Sequence, residues 1–185
     1  TLIMGNCGVG FAPCASNDEA HDRLIAVMED VEDIPGSALH EGVKWNWESF
    51  PEYLDAVEAF PRAIDVGAQV PHCAVRTYVM GDRGRKNDVA TAEDVSQMAD
   101  IVKEGIQAGA LGFTTSRTEL HTTREEIAMP GTYADEDELL GIGNAIGELG
   151  GKGIFGVVSD FNDWEKEMDW MKRLSLQNKC QINFV

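Results

Sequence analysis

Ile154-Phe155-Gly156-Val157-Val158, followed at once by Ser159-Asp160, decides the fold class of this chain. An unbroken apolar run of this length, with β-branched and aromatic residues and no polar alternation, is the pattern of a strand buried on both faces, as in a parallel sheet. Polar residues appear only where the run ends. The same arrangement recurs upstream at Leu2-Ile3-Met4, at Ile64 to Val70 and at Leu111 to Thr115, and downstream at Cys180 to Val185.

Helical patterns separate these runs. Asn17-Asp18-Glu19 opens a helix through Leu24, Val27 and Met28 that Ile34-Pro35-Gly36 breaks. Ser49 with Glu52 forms a capping box ahead of an apolar face made by Phe50, Tyr53, Leu54, Val57 and Phe60. Thr91 caps a helix carrying Val95, Met98, Ala99, Val102 and Ile106 on one side, with Gly109 placed to end it. Asp135 and Glu138 open the next, along Leu139, Ile142, Ile146 and Leu149, where Gly141, Gly143 and Gly147 imply close packing or a marginal helix. Asn162 and Glu165 are expected to cap a last helix through Trp164, Met168, Met171 and Leu174. Strand and helix thus alternate through about five strands, which predicts an α/β fold with a parallel sheet and right-handed crossovers. Trp45, Trp47 and Phe50 read as core packing rather than a cofactor wall.

This alternation gathers the polar residues that follow each strand, Cys7, His72, Arg76, Ser116, Arg117, His121 and Asp160, on one face of the sheet. In barrels and open α/β sheets alike, that carboxyl-end face is where sites are built. Cys7 stands out among them, because Gly5-Asn6-Cys7-Gly8-Val9-Gly10 brackets it with residues that permit positive φ and close approach. Pro13 excludes a dinucleotide fingerprint, and no Gly-Lys-Ser/Thr follows to make a phosphate loop. Two readings of Cys7 remain: a small buried hydrophobe, or a metal-ligating thiolate.

The 185 residues fit one domain but fall short of the about 250 of a full (β/α)8 barrel. Thr1 lies inside an apolar run and Ile182-Asn183-Phe184-Val185 ends in another, so residues 1–185 are expected to be a single incomplete domain of a longer chain. The formal charge of −17 argues against nucleic acid or an anionic membrane as partner, and no apolar run approaches the about 18 residues of a membrane helix. The four cysteines form no C-x-x-C pair, which makes a reducing, cytoplasmic compartment the default.

With those residues in hand, the chain resembles the metal-dependent amidohydrolases of the N-acyl-D-amino-acid deacylase type. The resemblance is carried by Gly5-Asn6-Cys7-Gly8 with Phe11-Ala12-Pro13, by Asp65-Val66-Gly67 leading to Pro71-His72-Cys73-Ala74-Val75-Arg76 and Val79-Met80-Gly81, and by Gly109-Ala110-Leu111-Gly112-Phe113-Thr114-Thr115. It implies that the chain is about strands two to six of a partial (β/α)8 barrel, and that Cys7 is a zinc ligand. Zinc accepts sulfur, nitrogen and oxygen ligands and lowers the pKa of its bound water to about 7. The family's His-x-His pair would lie upstream of Thr1 and its catalytic aspartate beyond Val185. Where better-studied members place a histidine ligand after the fifth strand, this sequence has Val157-Val158-Ser159-Asp160.

The function this implies is hydrolysis of the amide bond of an N-acyl (D-)amino acid or similar small amide, metal-assisted in the full-length parent. The fragment alone is expected to be inactive and its open barrel edges to favour self-association. Asp160 is the candidate catalytic group, with helix capping as its alternative. His72, Arg76, Ser116, Arg117 and His121 are candidates for substrate contact; His72 could equally brace the barrel mouth, and Arg76 could pair with an acidic side chain instead of clamping a substrate carboxylate. The rival function is a barrel without metal that binds a small carboxylate and does not hydrolyse it.

Overall fold

The computed structural model describes residues 1–123 and 126–185. In chain order the elements are β1 (Leu2–Met4), α1 (Asp18–Glu32), α2 (Gly36–Gly42), α3 (Phe50–Ala59), β2 (Val66–Ala68), β3 (Val70–Pro71), α4 (His72–Met80), α5 (Asp82–Arg85), α6 (Ala92–Ala108), β4 (Gly112–Arg117), α7 (Glu136–Gly147), β5 (Ile154–Ser159), α8 (Trp164–Asn178) and β6 (Gln181–Phe184). Among the described residues the strands pair in parallel throughout, and an isolated antiparallel bridge joins Thr122 and Ala128 outside them. β1 pairs with β2, and β3, β4, β5 and β6 pair in sequence order. The α/β reading with its parallel pairing is therefore what the chain adopts.

The expected single strand Ile64–Val70 is two short ones. Gln69 interrupts it, yet the ladder continues through the break: Gln69 donates its N–H to the Met4 carbonyl at 3.0 Å, and the Ala68 carbonyl accepts from Leu111 N at 2.9 Å. β4 also runs two residues beyond the expected end at Thr115, because Ser116 and Arg117 still pair with Val158 and Ser159.

Helix starts follow their caps. Asn17 accepts from Ala20 N at the head of α1, Ser49 and Glu52 make the box of α3, Thr91 and Asp94 that of α6, and Asp135 accepts from Glu138 N ahead of α7. The last helix departs from expectation by one residue: Asp163 caps α8 and accepts from Lys166 N, displacing Asn162 and Glu165 from that role. The glycines of α7 are there for packing. A Cβ on Gly143 would lie 2.0 Å from Leu174 Cδ1, and one on Gly147 would lie 1.8 Å from the Asn178 carbonyl oxygen, both in α8.

The core lies between the sheet and α6, α7 and α8. Phe113, Phe155 and Trp170 run through it as edge-to-face pairs with ring centroids 5.0 and 6.0 Å apart, all fully buried. Each such side chain contributes roughly 1.5–3 kcal/mol by leaving water. Trp45, Trp47, Tyr53 and Phe50 form a second aromatic row, in which Trp45 stacks on His21 at 4.2 Å. Among the described residues, no helix is long and apolar enough to cross a membrane.

Candidate functional site

Side-chain alternation along β4 sorts its residues into two environments. Phe113, Thr115 and Arg117 face the helices: Phe113 and Thr115 meet His72 of α4, and Arg117 reaches Glu167 of α8. Thr114 and Ser116 face the other way, toward the loop after β1. Thr114 Oγ1 accepts from Gly8 N at 3.1 Å and donates to the Gly5 carbonyl, clamping both sides of Cys7. Cys73 N–H completes the clamp by donating to the Gly8 carbonyl at 3.0 Å. Gly8, at φ +80°, has to be glycine, since a Cβ there would lie 2.7 Å from Ser116 N.

The clamp leaves Cys7 half-buried at the carboxyl end of the strands, with its thiol donating to Glu32 Oε1 at 3.7 Å. Glu32 comes from the last turn of α1, which folds back over the loop. Burial, and after it the Glu32 carboxylate, push the Cys7 thiol above its ordinary pKa. A cavity of about 320 Å³ adjoins the pair, lined by Asn6, Cys7, Phe11, Met28, Glu32 and Gln69 among others. A thiol facing a carboxylate is donor chemistry that suits zinc, and these two residues fit part of a zinc site. Among the described residues no third His, Cys, Asp or Glu joins them.

His72 and Arg76 lie elsewhere, inside α4 and fully buried. His72 Nδ1 is 2.8 Å from Thr115 Oγ1 and its Nε2 is 2.7 Å from Glu138 Oε1, an oxygen that also accepts from Arg76 Nε at 3.2 Å. Burial alone would raise the Glu138 pKa; hydrogen bonding and charge from His72, then the charge of Arg76, outweigh it and hold the carboxyl below its ordinary range. Neither His72 nor Arg76 reaches solvent, and the arrangement is the brace and ion pair that their sequence left open. Arg117 is likewise engaged, gripping both oxygens of Glu167 at 2.7–3.0 Å, donating to the Ala134 carbonyl and lying over the Trp170 ring.

Ser116, His121 and Asp160 stay together at the rim. Ser116 Oγ and His121 Nδ1 are 2.8 Å apart. Asp160 accepts from Thr118 Oγ1 at 2.5 Å and from Glu119 N at 2.7 Å, so it clasps the loop after β4 and caps no helix. Glu32, Glu138 and Glu167 escaped sequence reasoning. Glu138 was legible only as a helix-start residue, and Glu32, 25 positions from Cys7, left no signal.

A model of the amidohydrolase family matches residues 1–185. The chain belongs to the amidohydrolase family. A D-aminoacylase of Alcaligenes xylosoxydans xylosoxydans is 34% identical over 115 residues, 62% of this amidohydrolase chain and 20% of that protein. An N-acyl-D-aspartate deacylase of the same organism is 30% identical over 115 residues, with the same coverage. Two solved structures share the fold. A D-aminoacylase superposes on all of this chain with a TM-score of 0.68 at 22% identity, and the N-acyl-D-glutamate deacylase of Bordetella bronchiseptica, complexed with zinc and a phosphonate inhibitor, on 98% with 0.67 at 23%. The chain spans about a fifth of the curated relatives it matches and about a third of the solved ones.

Proposed function

We propose that this amidohydrolase chain is strands two to six of a (β/α)8 barrel, a single incomplete domain over residues 1–185, and that its full-length protein hydrolyses the amide bond of N-acyl (D-)amino acids. The observation that carries this is the glycine-bracketed Cys7 loop, clamped by Thr114 and Cys73 so that its thiol and Glu32 meet at the carboxyl end of the strands. Similarity to a D-aminoacylase and to a zinc-complexed deacylase supports the substrate class and the metal.

Cys7 would hold zinc through its sulfur, with Glu32 beside it as an oxygen donor. When bound, the ion supplies Lewis-acid polarisation of a carbonyl and a water of lowered pKa. The chain's own contribution is positional. Thr114 fixes the loop, the Glu138 brace fixes α4 behind it, and Ser116 holds the His121 ring. Four free cysteines accord with a reducing, cytoplasmic setting.

The test is Cys7→Ala in the full-length protein, beside Cys14→Ala and Cys180→Ala. Zinc per chain and turnover of N-acetyl-D-amino acids should fall together for Cys7 alone. A Cys7→Ala protein with full zinc and a lowered melting point would make Cys7 a packing residue and end this reading.

A further inference from the structure

We propose that the cavity beside Cys7 and a groove adjoining it bind the acyl half of the substrate, and that this half is an unbranched apolar chain much longer than acetyl; this rests on the deacylase reading above. Two spaces meet here. The cavity of about 320 Å³ at the Cys7 thiol and Glu32 is also lined by Phe50 and Tyr53 of α3. A second space, of about 420 Å³, is an apolar groove between α3 and the segment before it, lined by Trp47, Ala56, Val57 and Phe60. Phe11 and Tyr53 line both, so they form the neck between them. Each space falls within the about 300–1,000 Å³ usual for small-molecule sites.

The lining decides which half of an N-acyl amino acid enters. Among the described residues no Lys, Arg or His lines the cavity at Cys7, and Glu32 is its single carboxylate. The amino-acid half carries a carboxylate of its own, which Glu32 repels and no cation there pairs, whereas the acyl half is uncharged. The polar side chains of the cavity are turned on the protein: Gln69 Nε2 donates to Asn6 Oδ1 at 2.7 Å, and Asn6 Nδ2 to the Ile3 carbonyl at 3.1 Å. Met4 and Met28 add thioether walls that follow the shape of a flexible chain. In the groove, Lys44 is the single charged side chain among the described residues, and it donates to the Glu41 carbonyl at 2.7 Å.

The neck is a fixed feature. Trp47 Nε1 donates to the Phe11 carbonyl at 2.9 Å, Trp47 meets the Tyr53 ring with centroids 5.1 Å apart, and the Tyr53 hydroxyl reaches Met4 Sδ at 3.9 Å. An acetyl group occupies only the Cys7 end of this path. A longer chain passes between Phe11 and Tyr53 and covers Phe60, an apolar ring that is otherwise 64% exposed. Phe11, Tyr53 and Trp47 thus set the length of chain accepted and take no part in bond breaking.

The experiment uses the full-length protein and N-acyl-D-alanines from acetyl through hexanoyl to decanoyl. In the wild type kcat/KM should climb with chain length, by up to about threefold per methylene, and exceed the acetyl value by at least about tenfold at decanoyl. Ala56→Trp, which fills the groove beyond the neck, should lower the decanoyl-to-acetyl ratio by about tenfold and the hexanoyl-to-acetyl ratio less. A ratio taken within one variant cancels any loss of folded protein, and Val57→Trp should repeat the result from a second position. A wild type that hydrolyses decanoyl no better than acetyl, or ratios that neither Trp variant changes, would overturn the proposal. So would a rise that follows the amino-acid side chain, from N-acetyl-D-alanine to N-acetyl-D-leucine, and is lost in Ala56→Trp. Should the wild type hydrolyse no amide, the deacylase reading falls by itself. The acyl site is then judged by ¹⁵N NMR with decanamide as the probe: a Trp47 indole signal that moves in the wild type and stays still in Ala56→Trp upholds it, and one that decanamide leaves unmoved refutes it.

Discussion

Replacing Glu138 by Gln removes one charge and almost no volume from a place where water cannot compensate. Arg76 and His72 are both fully buried on the Glu138 carboxylate, and Arg76 Nη1 already has no hydrogen-bond partner among the described residues. The substitution leaves a guanidinium buried without its counter-charge, a loss of about 3–5 kcal/mol. Against a total stability of about 5–15 kcal/mol for a domain, that is a large fraction. The effect depends on pH with a definite sign. Because the folded Glu138 pKa is depressed, its contribution is complete above the unfolded value of about 4.3 and disappears as pH falls through the folded value. Urea denaturation of wild type and Glu138→Gln should therefore show a full gap at pH 7 that narrows below about pH 4. Arg76→Met combined with Glu138→Leu, which removes both charges, should recover most of the loss. A single variant within about 1 kcal/mol of wild type at pH 7, or a double variant as damaged as the single, would refute the reasoning.

Gly8→Ala places a Cβ at φ +80° and 2.7–2.9 Å from the Thr115–Ser116 backbone, so left-handed strain of about 1–2 kcal/mol adds to about 1–3 kcal/mol of overpacking. Thermal melting together with zinc content should show both falling; an unchanged melting point would contradict the clamp. Thiol labelling should modify Cys7 first, since Cys14, Cys73 and Cys180 are buried, with pKa values pushed up to about 11, 12 and 11. Because Glu32 raises the Cys7 pKa, Glu32→Gln should increase the labelling rate at pH 8, and a slower rate would place Glu32 elsewhere.

The fold was legible wherever burial is expressed in consecutive residues. Ile154–Val158 could be read as a strand because both of its faces are covered at Phe155, Gly156 and Val157, and Asn17, Ser49, Thr91 and Asp135 could be read as caps because capping is local chemistry. α4 escaped because it has no polar face to set a period: His72, Cys73, Ala74, Val75 and Arg76 are all buried in succession. Of the candidate site, the Cys7 loop announced itself through its glycines. What accompanies it did not, because Glu138 is 66 positions from His72 and Glu167 is 50 from Arg117, and pairing at that range leaves no trace in spacing. The same limit applies to Asp160. Its position after a buried strand marked it as polar and useful, while its partners Thr118 and Glu119 lie on the neighbouring connection.

The clamp on the Cys7 loop has a consequence for biosynthesis. Gly8 is held by Thr114, and 106 positions separate the two. At about 5–20 residues per second on the ribosome, about 5–20 seconds pass between polymerisation of the thiol and of its restraint. During that interval it is an ordinary flexible cysteine, open to oxidants and to any soft cation that passes. The clamp must therefore form late, after β4 has been translated and docked, and a cell would protect this thiol best by keeping its nascent chains reduced.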